Sequence, residues 1–234
     1  MGEKAESELI KKILLMPIVS SKSVEGITIA TRKDNGSQFI LSSQRYNNET
    51  DEDMSDIAIS YYETIYEKSK PILNSDGKLA NEQFAGDTMN SYRQIVSRNG
   101  CSEDKKKEWF DLYHCLANFW ILPMEIGRKG ICLSKTKEAK DYMDGFLLFL
   151  RNNYNQYKEK YIYFFADMNF DDFIKWECID MYVENNHIIQ ITGLKNPEDS
   201  INTMMKLVDM RASTLSKRYT NELYKLFCDD LKLI

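Results

Sequence analysis

Cysteine is sparse and unpatterned in this chain. The five cysteines stand at 101, 115, 132, 178 and 228 and form no Cys-x-x-Cys pair. An odd, widely spaced set argues against a disulfide framework or a zinc cage and for free thiols in a reducing compartment. Glycine and proline are also few, ten and four in 234 residues, while 43% of residues are hydrophobic, which excludes a disordered tail. Positive charge does not dominate: 31 Lys and Arg face 36 Asp and Glu, for a net charge of −5. A surface that grips nucleic acid or anionic lipid everywhere is therefore excluded, although local basic patches are not. No apolar run approaches the roughly 18 residues of a membrane span. The segment Leu9–Val19 is broken by two lysines and Pro17, with Glu3 and Glu6 ahead of it, the wrong order of charge for a signal peptide. A soluble cytoplasmic protein with no membrane partner is expected.

What is present is helical periodicity. Apolar residues at 9, 10, 13, 14 and 15 predict a short helix from Ser7 to about Met16, stopped by Pro17. Two runs with strand character flank Lys33-Asp-Asn-Gly36, and Asn-Gly between such runs predicts a β-hairpin, because both residues tolerate positive φ. The acidic stretch 49–56 reads as a solvated loop or first helical turn leading into a helix with Ile57, Tyr61, Ile65 and Tyr66. Phe84–Tyr92 is expected to enter another helix capped by Asp87 or Thr88, ending at Asn99-Gly100. Ser102-Glu-Asp then caps a central helix from about Asp104 to Leu116 or beyond. A long helix from about Thr136 to Tyr157 follows, and Tyr161–Phe165 is too short for periodicity to fix as strand or helix. Asn169 caps a further helix. Asn196-Pro-Glu-Asp starts an apolar pattern at 201, 205, 208, 212, 215, 219, 223 and 226, a helix of about 30 residues that either breaks near Ser213–Ser216 or extends to a partner.

The fold class is therefore mainly α: one compact helical domain over 1–234, with a small β-hairpin appendage at 20–48 and a long C-terminal helix or helix pair at 196–234. The densest stretch, Trp109–Gly130, holds two of the three tryptophans and one of the two histidines, and organises the rest.

That stretch also carries candidate chemistry. On a central helix Asp111, His114 and Asn118 would be spaced three and four apart, one face carrying a carboxylate, an imidazole and an amide. Such a row can let Asp111 orient His114 as a base, or it can be structural, His114 bonding a neighbouring carboxylate or carbonyl while Asn118 braces a loop. Gly127-Arg128-Lys129-Gly130, followed by Lys135, Lys137 and Lys140, reads as an anion-binding loop or as a solvated basic turn. Lys105, Lys106 and Lys107 among acids read as an exposed face, and Cys115 as a buried hydrophobe.

The ordered set Gly86-Asp-Thr-Met-Asn-Ser91, His114-x-x-x-Asn118-Phe119 with Pro123, Gly127-Arg128 and Asp141-Tyr142-x-Asp144 resembles an uncharacterised bacterial family of unknown function, over roughly residues 84 to 185. That resemblance implies a bacterial, cytosolic, α-rich protein. Leu116-Ala-Asn-Phe-Trp-Ile-Leu122 is similar to a segment of HNH-type restriction nucleases. The chain departs from them in having Ala117 where glycine is usual and in lacking the His-x-x-Pro strand that supplies the catalytic histidine, as a remnant that binds without cutting would.

Two functions are carried forward. The first is a non-enzymatic binding or interaction module that needs no cofactor, with Asp87, Asn118, Arg128 and Lys129 forming a pocket for an anionic or nucleic-acid ligand. The second is a phosphodiester hydrolase of phage-defence type, with Asp87, Asp111 and His114 around a divalent metal and Arg128 on the substrate phosphate. A homodimer scaffold seamed by the C-terminal helix is a third possibility.

Overall fold

The computed structural model describes residues 3–22, 28–32, 38–41, 52–66, 84–90, 96, 100–123, 143–165, 167–231 and 233. Helix α1 (Glu3–Leu14) ends ahead of Pro17 and buries Ile10, Ile13 and Leu14. The predicted hairpin is β2 (Thr28–Arg32) against β3 (Gln38–Leu41), antiparallel, with Thr28 opposite Leu41 and Thr31 opposite Gln38. Its Asn-Gly turn lies outside the described residues. A third strand, β1 (Ile18–Lys22), pairs with the other edge of β2, so the appendage is a three-stranded antiparallel sheet.

A 3₁₀ turn, Glu52–Met54, precedes α2 (Asp56–Ile65), whose cap Ser55 accepts from the Ala58 amide. The acidic stretch thus places charge at a helix start, where unpaired N–H groups favour it. Residues 84–88 are not a helix entry, contrary to expectation. They form β4 (Phe84–Thr88), antiparallel to β5 (Phe119–Pro123) with Gly86 opposite Ile121. The helix expected to end at Asn99-Gly100 lies almost entirely outside the described residues, as 91–95 and 97–99 do; Gly100 itself holds a positive φ, +97°.

The central helix is shorter than its pattern suggests. Ser102 caps α3 (Glu103–Leu112) by accepting from Lys105, but the helix stops there. Cys115 is extended, Leu116–Asn118 make one 3₁₀ turn, and Phe119-Trp-Ile-Leu-Pro continues as β5 with all five residues buried. A strand buried on both faces has no alternation, so an apolar run cannot announce it.

The first part of the expected long helix, residues 136–142, lies outside the described residues; from Met143 on there are two helices, α4 (Met143–Asn152) and α5 (Tyr154–Lys160), broken at Asn153, whose Nδ2 donates back to the Phe149 carbonyl at 2.8 Å. The undecided run contains a helical turn, α6 (Ile162–Phe165), and Asn169 caps α7 (Phe170–Trp176). A hairpin that the sequence reading missed follows: β6 (Val183–Glu184) and β7 (His187–Ile188), turned by Asn185 and Asn186 at φ +49° and +62°.

Helix α8 (Pro197–Arg218) is capped by Asn196 as predicted. It breaks at Tyr219, later than Ser213–Ser216, and continues as α9 (Thr220–Tyr224) and a π-helical turn, Lys225–Asp230. Its stripe, Ile201, Met204, Leu207, Val208, Ala212 and Leu215, is buried within the chain, against α1, α3 and the 116–118 turn. The apolar face that suggested a dimer seam is therefore used internally. Polar ties cross between helices: Lys11 lies 2.8 Å from Asp209, and the Ser102 amide donates to Glu198 at 3.0 Å. Among the described residues no helix is long and apolar enough to cross a membrane.

Candidate functional site

The residues singled out from sequence separate into different surroundings. Asn118 is fully buried. Its Oδ1 accepts from the Asn90 amide and from Asn90 Nδ2 at 3.1 and 2.9 Å, and its Nδ2 donates to the carbonyls of Asn90 and Tyr113 at 3.1 and 2.7 Å. Asn90 Nδ2 also reaches the Tyr182 hydroxyl. Asn118 braces the segment between α3 and β5 and is spent on Asn90 and the Tyr113 carbonyl, the structural alternative of the sequence reading.

His114 lies beyond the end of α3, not on it, so the Asp111–His114–Asn118 helix face does not exist. Its Nδ1 is 3.4 Å from Glu52 Oε2, and its carbonyl accepts from the Ile18 amide at 2.7 Å. Asp111 is on α3 and takes the Lys107 ammonium at 2.5 Å. Asp87, on β4, accepts the Thr88 amide at 2.8 Å and pairs across the sheet with Trp120. Asp53 accepts from the hydroxyl of Thr88 at 3.4 Å, and its carbonyl from that of Tyr62 at 2.9 Å. Asp87 and Asn118 thus belong to one β4–β5 unit, whereas Asp111 faces outward on α3. Among the described residues no group of three His, Cys, Asp or Glu could hold a metal ion. Arg128 and Lys129 lie outside the described residues. The three lysines 105–107 pair with Glu108, Glu103 and Asp111 along the exposed helix, and burial pushes the Cys115 thiol up to about 12, so it is an inert hydrophobe.

The structure offers a different concave face. A groove of about 500 Å³ runs between α4 and the β6–β7 hairpin, lined by Asp144, Gly145, Leu148, Arg151, His187, Ile188, Gln190, Thr192 and Gly193. Its size is that of a small-ligand cleft, for which roughly 300–1,000 Å³ is usual. Asp144 builds the wall: buried on α4, its Oδ2 accepts the Ile191 amide, the Thr192 amide and the Thr192 hydroxyl, each at 2.8 Å. One carboxylate thereby pins the 190–193 loop against α4. Arg151, two turns further along α4, is steadied by Nη1 donating to the Asn186 carbonyl at 2.9 Å. A second groove of about 440 Å³, with Asn152, Asn155, Gln156, Lys158 and Asn169 in its lining, shares Arg151. Arg151 therefore lines both grooves. Leu148, 46% exposed, gives the first groove an apolar wall.

Of these groove residues the sequence reading names only Asp144, in the ordered set that carries the family resemblance, and it gives none of them a site role. The available signal was Glu184-Asn-Asn-His187, a two-residue turn sequence between short β-prone flanks, which announces a hairpin but not its place beside Arg151.

A third polar assembly is interior. Arg211, on the buried stripe of α8, is 1% exposed. Its Nη1 donates to the carbonyls of Ala117 and Phe119 at 2.9 and 2.7 Å, and its Nε to the Glu177 carbonyl at 3.2 Å. Tyr66 donates to Glu177 Oε2 at 2.6 Å. Burial pushes the Glu177 carboxyl up to about 7, against the pull of Arg211. A charged residue at a stripe position of an amphipathic helix was the missed signal here.

No protein-family model, curated protein or solved structure matches this chain.

Proposed function

We propose that this chain is a binding module for an anionic ligand, taken by Arg151, which lines both grooves, with Arg128 and Lys129 as further cationic residues for it. The observation that carries the reading is Arg151 itself. One of its nitrogens is anchored on a backbone carbonyl, and an Arg fork steadied in this way is suited to two-pronged recognition of carboxylate or phosphate. His187 and Gln190 add polar groups to the same lining, and the groove's one carboxylate, Asp144, is buried and engaged by three donors. Leu148 and Ile188 favour a ligand whose anionic group is attached to an apolar body.

The test is calorimetric titration of the full chain with inorganic phosphate, hexanoate and a short single-stranded oligonucleotide, in parent, Arg151→Ala and Arg128→Ala/Lys129→Ala proteins. At least one probe is expected to bind, with affinity at least tenfold weaker in the Arg151→Ala protein. Tighter binding of hexanoate than of phosphate supports the apolar wall as part of the site. Binding only of the oligonucleotide, with a steep loss in salt, moves the reading to nucleic acid. Equal binding by parent and Arg151→Ala proteins, or no binding of any probe, counts against it.

A further inference from the structure

The second groove has a chemistry of its own. It is formed by the α4–α5 break and the start of α7, and its lining holds two cations, Arg151 and Lys158, and no acid among the described residues. Five of its ten lining residues are Asn or Gln, so planar amides set its character. Two of these amides are held in opposite senses. Asn153 Nδ2 donates to the Phe149 carbonyl at 2.8 Å, whereas Asn169 Oδ1 accepts the Asp172 amide at 2.9 Å. Asn153 therefore presents an acceptor, its Oδ1, and Asn169 a donor, its Nδ2. Gln156 is exposed and adds a carboxamide that can serve in either sense. Tyr154 and Phe170, both buried and edge-to-face with ring centroids 5.8 Å apart, give the same lining aromatic surface.

These groups select a ligand with a flat ring, a polar edge and a negative charge. A carboxamide carries donor and acceptor in one plane, which matches the paired donor and acceptor on a nucleobase edge, as when Asn or Gln meets adenine. Aromatic surface suits the faces of such a ring. Cations without an opposing carboxylate suit a phosphate. We propose that the second groove is a nucleotide subsite, which takes the base of a nucleoside monophosphate against Asn153, Gln156 and Asn169 while Arg151 takes the phosphate. Its volume, about 440 Å³, is within the usual range for a small-ligand cleft. The first groove has a single carboxamide, Gln190, among its described lining residues, so the base is assigned to the second. This rests on the reading of Arg151 as the anion-holding residue and names the class of anion.

Calorimetric titration of the full chain with 5′-AMP, 5′-CMP and ribose 5-phosphate, in parent, Arg151→Ala, Gln156→Ala and Asn169→Ser proteins, tests this. Serine keeps an oxygen at the helix cap and removes the amide. At least one nucleotide is expected to bind tenfold or more tightly than ribose 5-phosphate. That margin is expected to shrink at least threefold in one or both amide variants, with ribose 5-phosphate affinity kept, whereas Arg151→Ala weakens every ligand. Nucleotides that bind no more tightly than ribose 5-phosphate overturn the base subsite; ribose 5-phosphate binding that still depends on Arg151 then leaves the anion reading standing without it. A margin that survives intact in both amide variants also overturns the placing of the base in this groove. Binding of none of the three ligands overturns the subsite, and the phosphate and hexanoate titrations decide the anion reading separately.

Discussion

Arg211 holds Glu177 by its backbone: Nε donates to the Glu177 carbonyl at 3.2 Å, while Nη2 stands 3.8 Å from the carboxylate. The same guanidinium donates to the carbonyls on either side of Asn118. One side chain on α8 therefore fixes both the end of α7 and the segment that feeds β5. Replacing Arg211 by Ala leaves three buried carbonyls without this donor and the Glu177 carboxyl without the cation beside it. The expected loss is about 3–5 kcal/mol, as for other buried pairs broken from one side, read as a lower urea midpoint. Arg211→Met with Glu177→Gln is expected to recover part of that loss. A single Arg211→Ala cost below about 1 kcal/mol would remove this network from the account of stability.

The Glu177 carboxyl gives a pH dependence with a definite sign. Its folded-state value, about 7, lies above the 4.5 of an unperturbed carboxyl, so the folded chain binds the extra proton between those values. Stability from this group is full below about pH 4.5 and is lost as pH rises through 7. Other carboxylates titrate in the same experiment, so the readout is the difference between parent and Glu177→Gln. The parent is expected to lose stability relative to the variant, by a few kcal/mol, between about pH 5 and 8. A difference that does not change over that range refutes the assignment.

Sequence patterning was most legible where a helix carries its own punctuation. Ser102, Asn169 and Asn196 each cap the helix that their positions predicted, and the 201–226 apolar series faces inward apart from half-buried Met205. It failed where tertiary pairing overrode local pattern. Phe84–Thr88 and Phe119–Pro123 are strands only because each is the other's partner, a relation between segments about 35 residues apart that no window contains. The shared helix face failed for the same reason: Asp111, His114 and Asn118 lose it when the helix ends at Leu112. Arg151 was invisible because a groove is a relation between α4 and a later hairpin.

The hydrolase reading has a direct experiment. His114 lies against Glu52, and Asp111 is engaged by Lys107 on an exposed helix face. Labelled single- and double-stranded DNA and RNA, incubated with the protein and manganese or magnesium, are expected to remain intact with parent and His114→Ala alike. Cleavage by the parent that disappears in a folded His114→Ala protein would replace the binding-module proposal with metal-dependent phosphodiester hydrolysis.

The β6–β7 turn links local backbone geometry to the groove. Asn186 holds φ +62°, a conformation that asparagine tolerates, glycine adopts freely and β-branched residues resist. Its carbonyl is also the anchor for Arg151 Nη1. Asn186→Gly keeps both the conformation and the carbonyl, so stability is expected to stay within about 0.5 kcal/mol of the parent, with ligand affinity unchanged. Asn186→Val strains the turn, at a cost of about 1–3 kcal/mol, and displaces the carbonyl that steadies Arg151. Any anion affinity that depends on Arg151 should therefore fall in Asn186→Val and persist in Asn186→Gly, although residue 186 contributes only backbone to the contact. Parallel titration of the two variants checks this, and equal affinities would show that Arg151 does not need the hairpin to be held in place.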